Sequence, residues 1–289
     1  SLHHKRYNLL KLNYHPLVSI IMTIYDKEDY LYDVIQSVLN QTYPNIELVL
    51  VEDQSPDNCK EIIKQFASDP RVKVIYNEVN FGCYVSRNRA LKLCQGEYIG
   101  FQDADDYCVS TRIEKQISLM RRKGLKVSAT DMLRSHIPNF KNMSEAQVIA
   151  KANELRVHKI SPSDNESANE TIYAPCCRQH FNFPTMIFDR EIFDKIGTFI
   201  ESRKGMDMEY AERVVFHYEK KIFSADEDSW QYFEDNSTSY YQKIPELLVI
   251  SSEMTSKNIT SHTEYNPAFE KKKIEWREDF KLKLQNKKN

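Results

Sequence analysis

The stretch LVSIIMTIYDKEDYLYDVIQSVLNQTYPNIELVLVED, residues 17–53, decides the fold. Its first eight residues form a nearly continuous apolar run of strand length, the pattern of a strand covered on both faces of a parallel sheet. Leu31, Val34, Ile35, Val38 and Leu39 then recur at helical spacing. Asp26 is a candidate N-cap, with Glu28 and Asp29 in the first turn. Pro44 ends the helix, and IELVLVED repeats the buried-strand pattern.

Read outward, the alternation continues. CKEIIKQFA (59–67) reads as a helix, VKVIY (72–76) as a strand and SRNRALKLC (86–94) as a helix. GEYIGF (96–101) is a strand and TRIEKQISLMRR (111–122) a helix. A series of this kind predicts an α/β, doubly wound, mostly parallel sheet with helices on both faces. Ligands of such sheets bind outside the carboxyl ends of the strands, so the polar residues after each strand are the ones to read. The pattern weakens beyond KVSATDML (126–133), where KNMSEAQVIAKANELRV (141–157) is helix-like and SPSDNESANET (161–171) loop-like. Order returns with FNFPTMIFDREIFDKIG (181–197), a strand and a short helix. MDMEYAERVVFHYEKK (206–221) is a helix with Tyr210, Val214 and Tyr218 on one face. The divisions expected are an N-terminal extension 1–16, a first half 17–135, an insertion 136–172, a second half 173–265 and a charged amphipathic helix 266–289.

Composition bounds the function. The chain has 289 residues, and its 40 Lys and Arg nearly balance 42 Asp and Glu. No global field favours nucleic acid, so any anion site is local. Six cysteines show no CxxC pair, which suits a reduced, cytoplasmic chain. N-x-S/T triplets such as those at Asn142, Asn165, Asn169, Asn236 and Asn258 keep a lumenal location open. No stretch reaches the roughly 18 apolar residues of a membrane span, and the N-terminus lacks a signal-peptide core. The terminal helix, with Ile274, Trp276, Phe280, Leu282 and Leu284 among charges, is read as packing on the body or leading to another domain. Association with a membrane surface is the alternative.

The strongest chemical signal is GEYIGFQDADDYCVSTRIEKQ (96–116), where a strand delivers Asp103, Asp105 and Asp106 into a turn before a helix. Crowded carboxylates raise one another's pKa values unless a cation offsets them, and Mg²⁺ or Mn²⁺ would do so while bridging to a diphosphate. The plain alternative is an acidic turn with Asp as a cap. Asp53, after the second strand, is placed to accept a hydrogen bond from a base or ribose, or to form a turn. The first strand leads into TIYDKED with no GxGxxG, and there is no P-loop, which disfavours a dinucleotide oxidoreductase.

Four blocks in order, TIYDKEDYLYDVIQSVLNQTYPNIELVLVEDQSPDN (23–58), NEVNFGCYVSRNRAL (77–91), GEYIGFQDADD (96–106) and RKGMDMEYAER (203–213), resemble the family 2 glycosyltransferases, which have the GT-A fold. The likeness is close over roughly residues 16–122. It implies an inverting transfer from a nucleotide-diphosphate sugar, usually a UDP-sugar, to a saccharide acceptor hydroxyl with Mn²⁺ or Mg²⁺. On this resemblance Thr23, Tyr25 and Glu28 border the nucleotide, Asp53 holds the base and Arg87 approaches it from below. Asp103 faces the ribose, Asp105 the metal, and Asp106 stands behind the metal or at the donor sugar.

The last block is similar to the family's G-E-D-x-E element, with Met206 where Glu is often found, and implies Asp207 as catalytic base with Glu209 in reserve. First-turn stabilisation of a helix dipole is its plain alternative. Arg203 and Arg213 are candidate phosphate or acceptor contacts, and His262 in NITSH a third metal ligand. His180 has no supporting pattern. The resemblance further implies surface or capsular polysaccharide synthesis, in a chain that can carry further domains. A nucleotide-sugar-binding module of a larger polymerase, without catalysis, is the alternative.

Overall fold

A computed structural model describes residues 14–156, 183–202, 206–224, 238–252 and 267–286. The expected first half is present in order: β1 (Val18–Ile24), α1 (Leu31–Leu39), β2 (Ile46–Glu52), α2 (Cys59–Lys64), β3 (Val72–Tyr76), α3 (Cys83–Leu91) and β4 (Tyr98–Asp103). β1 pairs in parallel with β2 and β4, and β2 with β3. Alternate residues of the apolar runs feed two cores. Ile20, Met22, Leu48 and Leu50 pack on one face of the sheet, and Ile21, Val49, Val51 and Phe101 on the other. Strands buried on both faces have no polar stripe, which is why their sequences read as unbroken apolar runs.

Two local expectations are corrected. Asp26 does not cap α1. It adopts φ 56° and its N–H donates to Ser55 Oγ, while the Lys27 carbonyl accepts the N–H groups of Tyr30 and Leu31. The loop after β1 is thus tied to the loop after β2 before the helix begins. Nor does the DADD turn lead directly into a helix: β5 (Asp106–Cys108) intervenes before α4 (Arg112–Lys123).

The rest of the sheet comprises β6 (Val127–Ser135), β7 (Ile187–Asp189) and β8 (Tyr241–Ser252), giving the order β3-β2-β1-β4-β7-β6-β8-β5. β7 is antiparallel to β4 and β6, β5 is antiparallel to β8, and β6 runs parallel to β8. The sheet is therefore parallel through the first half and mixed in the second. Three strands separate β4 from β5 in this order, although only Ala104 and Asp105 connect them. The sheet must curl back on itself, and the acidic turn lies at the seam.

The segment expected to be an insertion begins within the core. α5 (Glu145–Glu154) has a full capping box between Ser144 and Gln147, and Ile137, Phe140, Val148 and Ala152 join the core beneath α1. Residues 157–172 lie outside the described residues. In the second half, a 3₁₀ turn (Phe183–Thr185) precedes β7, followed by α6 (Glu191–Ile196) and α7 (Met206–Glu219). Tyr210 and Val214 of α7 are fully buried, and Tyr218 is partly so. Phe223, Tyr240 and Tyr241 are buried and add to the core of the second half. The terminal helix, α8 (Pro267–Asn286), packs on α7: Arg277 is 4% exposed and forms an ion pair with Glu212. No helix among the described residues is long and apolar enough to cross a membrane. Cys59, Cys83, Cys94 and Cys108 are free thiols.

Candidate active site

The carboxyl ends of β1, β2 and β4 open on one rim of the sheet. Thr23 is in register with Asp103 of β4 and its hydroxyl lies 3.5 Å from Cys83 Sγ; Tyr25 is 39% exposed just beyond. Glu28 does not reach freely into this space. Its N–H donates to Asp57 Oδ2 at 2.9 Å, and its carboxylate accepts from the backbone and side-chain nitrogens of Asn58 at 3.1 and 2.7 Å. This reciprocal clamp fixes the β1 and β2 loops together at the rim.

Asp53 is 3% exposed and accepts three hydrogen bonds, from Asn77 Nδ2 at 2.7 Å, Phe81 N at 2.9 Å and Gly82 N at 2.8 Å. It folds the 77–82 loop over the rim, with Gly82 at φ 88°, a conformation that favours glycine. A carboxylate has about four acceptor positions, so this leaves capacity for one donor from a ligand.

α3 carries Arg87 beneath the pocket. The guanidinium is enclosed by the rings of Tyr84, Phe101, Phe183 and Phe199, each within 5.9 Å. Burial works against its charge, yet Cys83, Asp207 and Asp103 around it hold it protonated. Its two arms reach Asp207 Oδ1 at 3.0 Å and Asp103 Oδ1 at 3.5 Å. Burial raises the Asp207 pKa against the pull of Arg87 and a hydrogen bond from Tyr84, leaving a carboxylate more basic than usual but still oriented by a cation.

The acidic turn brings three carboxylates together. Asp103 is pushed up to about 6, by burial first, against Arg87, and then by Asp105 and Asp207; its side chain remains 41% exposed, so water offsets part of this. Asp106 is 3% exposed and raised well above the ordinary range by burial and by Asp105 and Asp103. Asp105 meets an ammonium, with Lys27 Nζ 2.6 Å from its Oδ2.

Hidden supports hold the turn in place. Ser252 Oγ donates to the Asp105 carbonyl at 2.9 Å, and Gln102 Nε2 to the Asp106 carbonyl at 2.5 Å. Gln102 is in turn oriented by Arg112 Nη1 at 2.8 Å. Arg112 is wholly buried and also donates to the Phe101 carbonyl and Gln116. Sequence reasoning missed Lys27 and Arg112. The first could have been found as the lone cation in the acidic DKED loop at a strand end. The second stands at a helix start, where a buried guanidinium has no pattern of its own.

The residues of the later motif divide. Asp207 joins the site, whereas Glu209 is turned away, 5% exposed and bonded to Arg213 Nη2 at 2.9 Å. Arg213 also donates to the carbonyls of Ile196 and Thr198, fixing the loop before α7 rather than facing the rim. Arg203, His180 and His262 lie outside the described residues.

Two carboxylates at a strand end fit a hard divalent ion of the kind held by one or two protein carboxylates and completed by substrate phosphates. Burial first, and then the neighbouring carboxylates, raise Asp103 and Asp106, and such an ion would offset that cost. Among the described residues no group of three or more His, Cys, Asp or Glu converges as a ready-made metal cage.

The sequence model described as Glycosyl transferase family 2 matches residues 19–213. The chain belongs to that family. This family 2 glycosyltransferase is 43% identical over 104 residues to the Escherichia coli UDP-Glc:alpha-D-GlcNAc-diphosphoundecaprenol beta-1,3-glucosyltransferase WfaP, covering 36% of this chain and 41% of that protein. It spans less than half the length of the first curated relatives it matches, between 41% and 47%. Among solved structures, Staphylococcus aureus TarS 1–349 in complex with UDP-GlcNAc superposes with a TM-score of 0.59 at 18% identity, over 87% of this chain and 63% of that one. The mannosyltransferase PcManGT from Pyrobaculum calidifontis, in complex with GDP-Man and Mn²⁺, gives 0.55 at 14% identity over 87% and 64%. Both likenesses place the curled, mostly parallel sheet among GT-A glycosyltransferases.

Proposed function

We propose that this transferase moves a sugar from a UDP-sugar to a saccharide hydroxyl by a metal-dependent, inverting displacement, in the synthesis of a surface or capsular polysaccharide. The observation that carries the reading is the Arg87 bridge between the Asp103 side of the donor rim and Asp207. UDP as carrier is supported by the donor named for WfaP and the UDP-GlcNAc bound by TarS, and Mn²⁺ by the PcManGT complex. A glycan built on a lipid diphosphate, as WfaP's name states for its acceptor, supplies the acceptor class.

Thr23, Tyr25 and the Asp53-held loop form the walls of the nucleotide pocket, with the spare acceptor position of Asp53 available to the base. Asp105, with Asp103 beside it toward the ribose, would hold the divalent cation, which when bound offsets charge gathering on the departing diphosphate. Asp106, behind the turn, sets its charge balance. Asp207 takes the proton of the acceptor hydroxyl as its oxygen forms the new bond at the anomeric carbon. The bond to the diphosphate oxygen breaks on the opposite face, so a single displacement inverts that centre. Arg87 keeps Asp207 anionic and aimed.

The test is a panel of nucleotide sugars in a diphosphate-release assay with Mn²⁺ and a saccharide acceptor, run beside Asp105→Ala and Asp207→Asn. Release with one donor, lost in both variants, is the expected result. Full turnover by Asp207→Asn would remove the base assignment, and turnover unaffected by chelation would remove the metal.

A further inference from the structure

Asn88 follows Arg87 in the interior of α3, is 8% exposed, and takes no part in the displacement described above. Its amide holds one residue of a distant loop by both main-chain groups. Nδ2 donates to the Phe199 carbonyl at 2.8 Å, and Oδ1 accepts from the Phe199 N–H at 2.9 Å. Buried main-chain groups require partners, and this single amide does for Phe199 what a neighbouring strand would do. Asparagine is a weak helix former, so α3 carries it at a local cost.

The same loop is tied to the helix that bears the proposed base. Tyr210 Oη donates to the Gly197 carbonyl at 2.9 Å, Arg213 donates to the carbonyls of Ile196 and Thr198, and the rings of Phe199 and Tyr210 lie 4.8 Å apart. The Phe199 ring also lies 5.9 Å from the Arg87 guanidinium. The start of α7 is therefore joined to α3 twice, by the Arg87–Asp207 ion pair and by Asn88 through Phe199. The ion pair links two side chains. The amide fixes main chain, and with it the distance from which Asp207 reaches toward Arg87.

We propose that Asn88 is a positioning residue for the transfer: by holding Phe199 through both amide atoms, it sets the spacing between α3 and α7 at which Arg87 aims Asp207. The inference rests on the reading of Asp207 as the base. Its effect is separable from nucleotide binding, because the nucleotide wall is anchored by other residues of α3. Ser86 Oγ accepts from Asn77 Nδ2 at 2.9 Å, and Arg89 Nη1 donates to Asn77 Oδ1 at 2.8 Å. Loss of Asn88 should lower turnover with little change in nucleotide affinity.

The test is turnover of the full chain with Mn²⁺, a saccharide acceptor and the donor selected by the nucleotide-sugar panel, read beside UDP affinity by calorimetric titration. Asn88→Ser is too short to span both main-chain groups, and Asn88→Asp sets an oxygen against the Phe199 carbonyl. Each is expected to lower kcat about 30-fold, with UDP affinity held within about twofold. Phe199→Leu removes the ring that packs on Tyr210 and probes the same connection from its other end, with a loss of about tenfold expected, so the comparison does not depend on the Asn88 variants folding. The deciding measurement repeats each change in an Asp207→Asn background, where a residue that acts through the base should cost less than about threefold. Equal losses in both backgrounds, an unchanged kcat, or UDP affinity falling in step with kcat would overturn the positioning role and leave the base reading standing. Full turnover by Asp207→Asn, or no turnover by wild type with any donor, would remove that reading and this inference together.

Discussion

Arg87 Nη1 lies 3.0 Å from the carboxylate of Asp207, a contact that joins residues 120 positions apart. The same guanidinium reaches Asp103, so the proposed base and the donor rim share one buried cation. Removing that cation has a definite electrostatic sign. An opposite charge favours the ionised carboxylate, so Arg87→Met raises the Asp207 pKa further. The base then stays protonated to higher pH, and the acid limb of the kcat/KM profile moves upward. Turnover at neutral pH is expected to fall about 100-fold. A pH–rate profile of the variant checks this, and an unmoved limb would separate Arg87 from the base.

Cation binding should stabilise the fold in a pH-dependent way. The folded pKa of Asp103, about 6, exceeds its ordinary value of 3.8, and Asp106 is raised as well. Between those two values of Asp103 the folded state holds more protons than the unfolded one, so stability falls as pH rises through the window and levels off above about 6. A divalent ion supplies at pH 7.5 the neutralisation that protons supply near pH 4. Saturating Mn²⁺ is therefore expected to raise Tm by about 5 °C at pH 7.5 and by less at pH 5. Differential scanning fluorimetry reads both, with Asp105→Asn as the insensitive control.

Arg112 should act on the site without touching it. Arg112→Met leaves the carbonyl of Phe101 and the side chains of Gln102 and Gln116 short of a donor. The expected cost is about 3 kcal/mol of stability, with weaker nucleotide binding because Gln102 no longer holds the Asp106 carbonyl. Arg112→Lys, lacking the fork, should recover only part of both losses. Denaturant titration and UDP binding, measured together, distinguish this from simple loss of packing.

The docking of α8 on α7 rests on a bidentate pair, with Arg277 Nε and Nη2 at 2.9 and 2.6 Å from the two oxygens of Glu212. Both side chains are at most 10% exposed. Breaking the pair from one side, with Arg277→Leu or Glu212→Leu, is expected to cost about 3–5 kcal/mol, because a buried charge loses its ion-pair partner. Replacing both by leucine should cost much less. A double-mutant cycle in denaturant is the measurement, and equal losses in all three variants would show that the pair does not anchor the helix.

Much of this arrangement was legible because parallel strands buried on both faces leave unbroken apolar runs, and their ends then mark the rim. Asp53 and Asp103 fall at the rim on that reasoning, and the resemblance adds Thr23. β8 was not legible. Its register against β6 skips from Ile244 to Leu247, so Pro245 and Glu246 interrupt the alternation that would have announced a strand, and a proline is tolerated because the bulge needs no N–H there. The start of α1 was misplaced because Asp26 has the composition of a cap but is held by a loop remote in sequence. The Asp53 carboxylate was expected to face a base, and most of its capacity goes instead to Asn77, Phe81 and Gly82, a tertiary arrangement that no local pattern encodes. Likewise, the motif around Asp207 could nominate a carboxylate, but only the packing of α7 against α3 brings it to Arg87.

The curl of the sheet also limits how the chain can vary in length. β4 and β5 lie three strands apart in the sheet yet are spliced by Ala104 and Asp105. An insertion or deletion in that splice would slip β5 against β8, turning Asp106 to the opposite face and carrying Asp105 away from Ser252. The tether between β6 and β7 spans no such seam. Length differences among relatives should therefore gather between Ser135 and Phe183, while the interval from Asp103 to Asp106 stays constant.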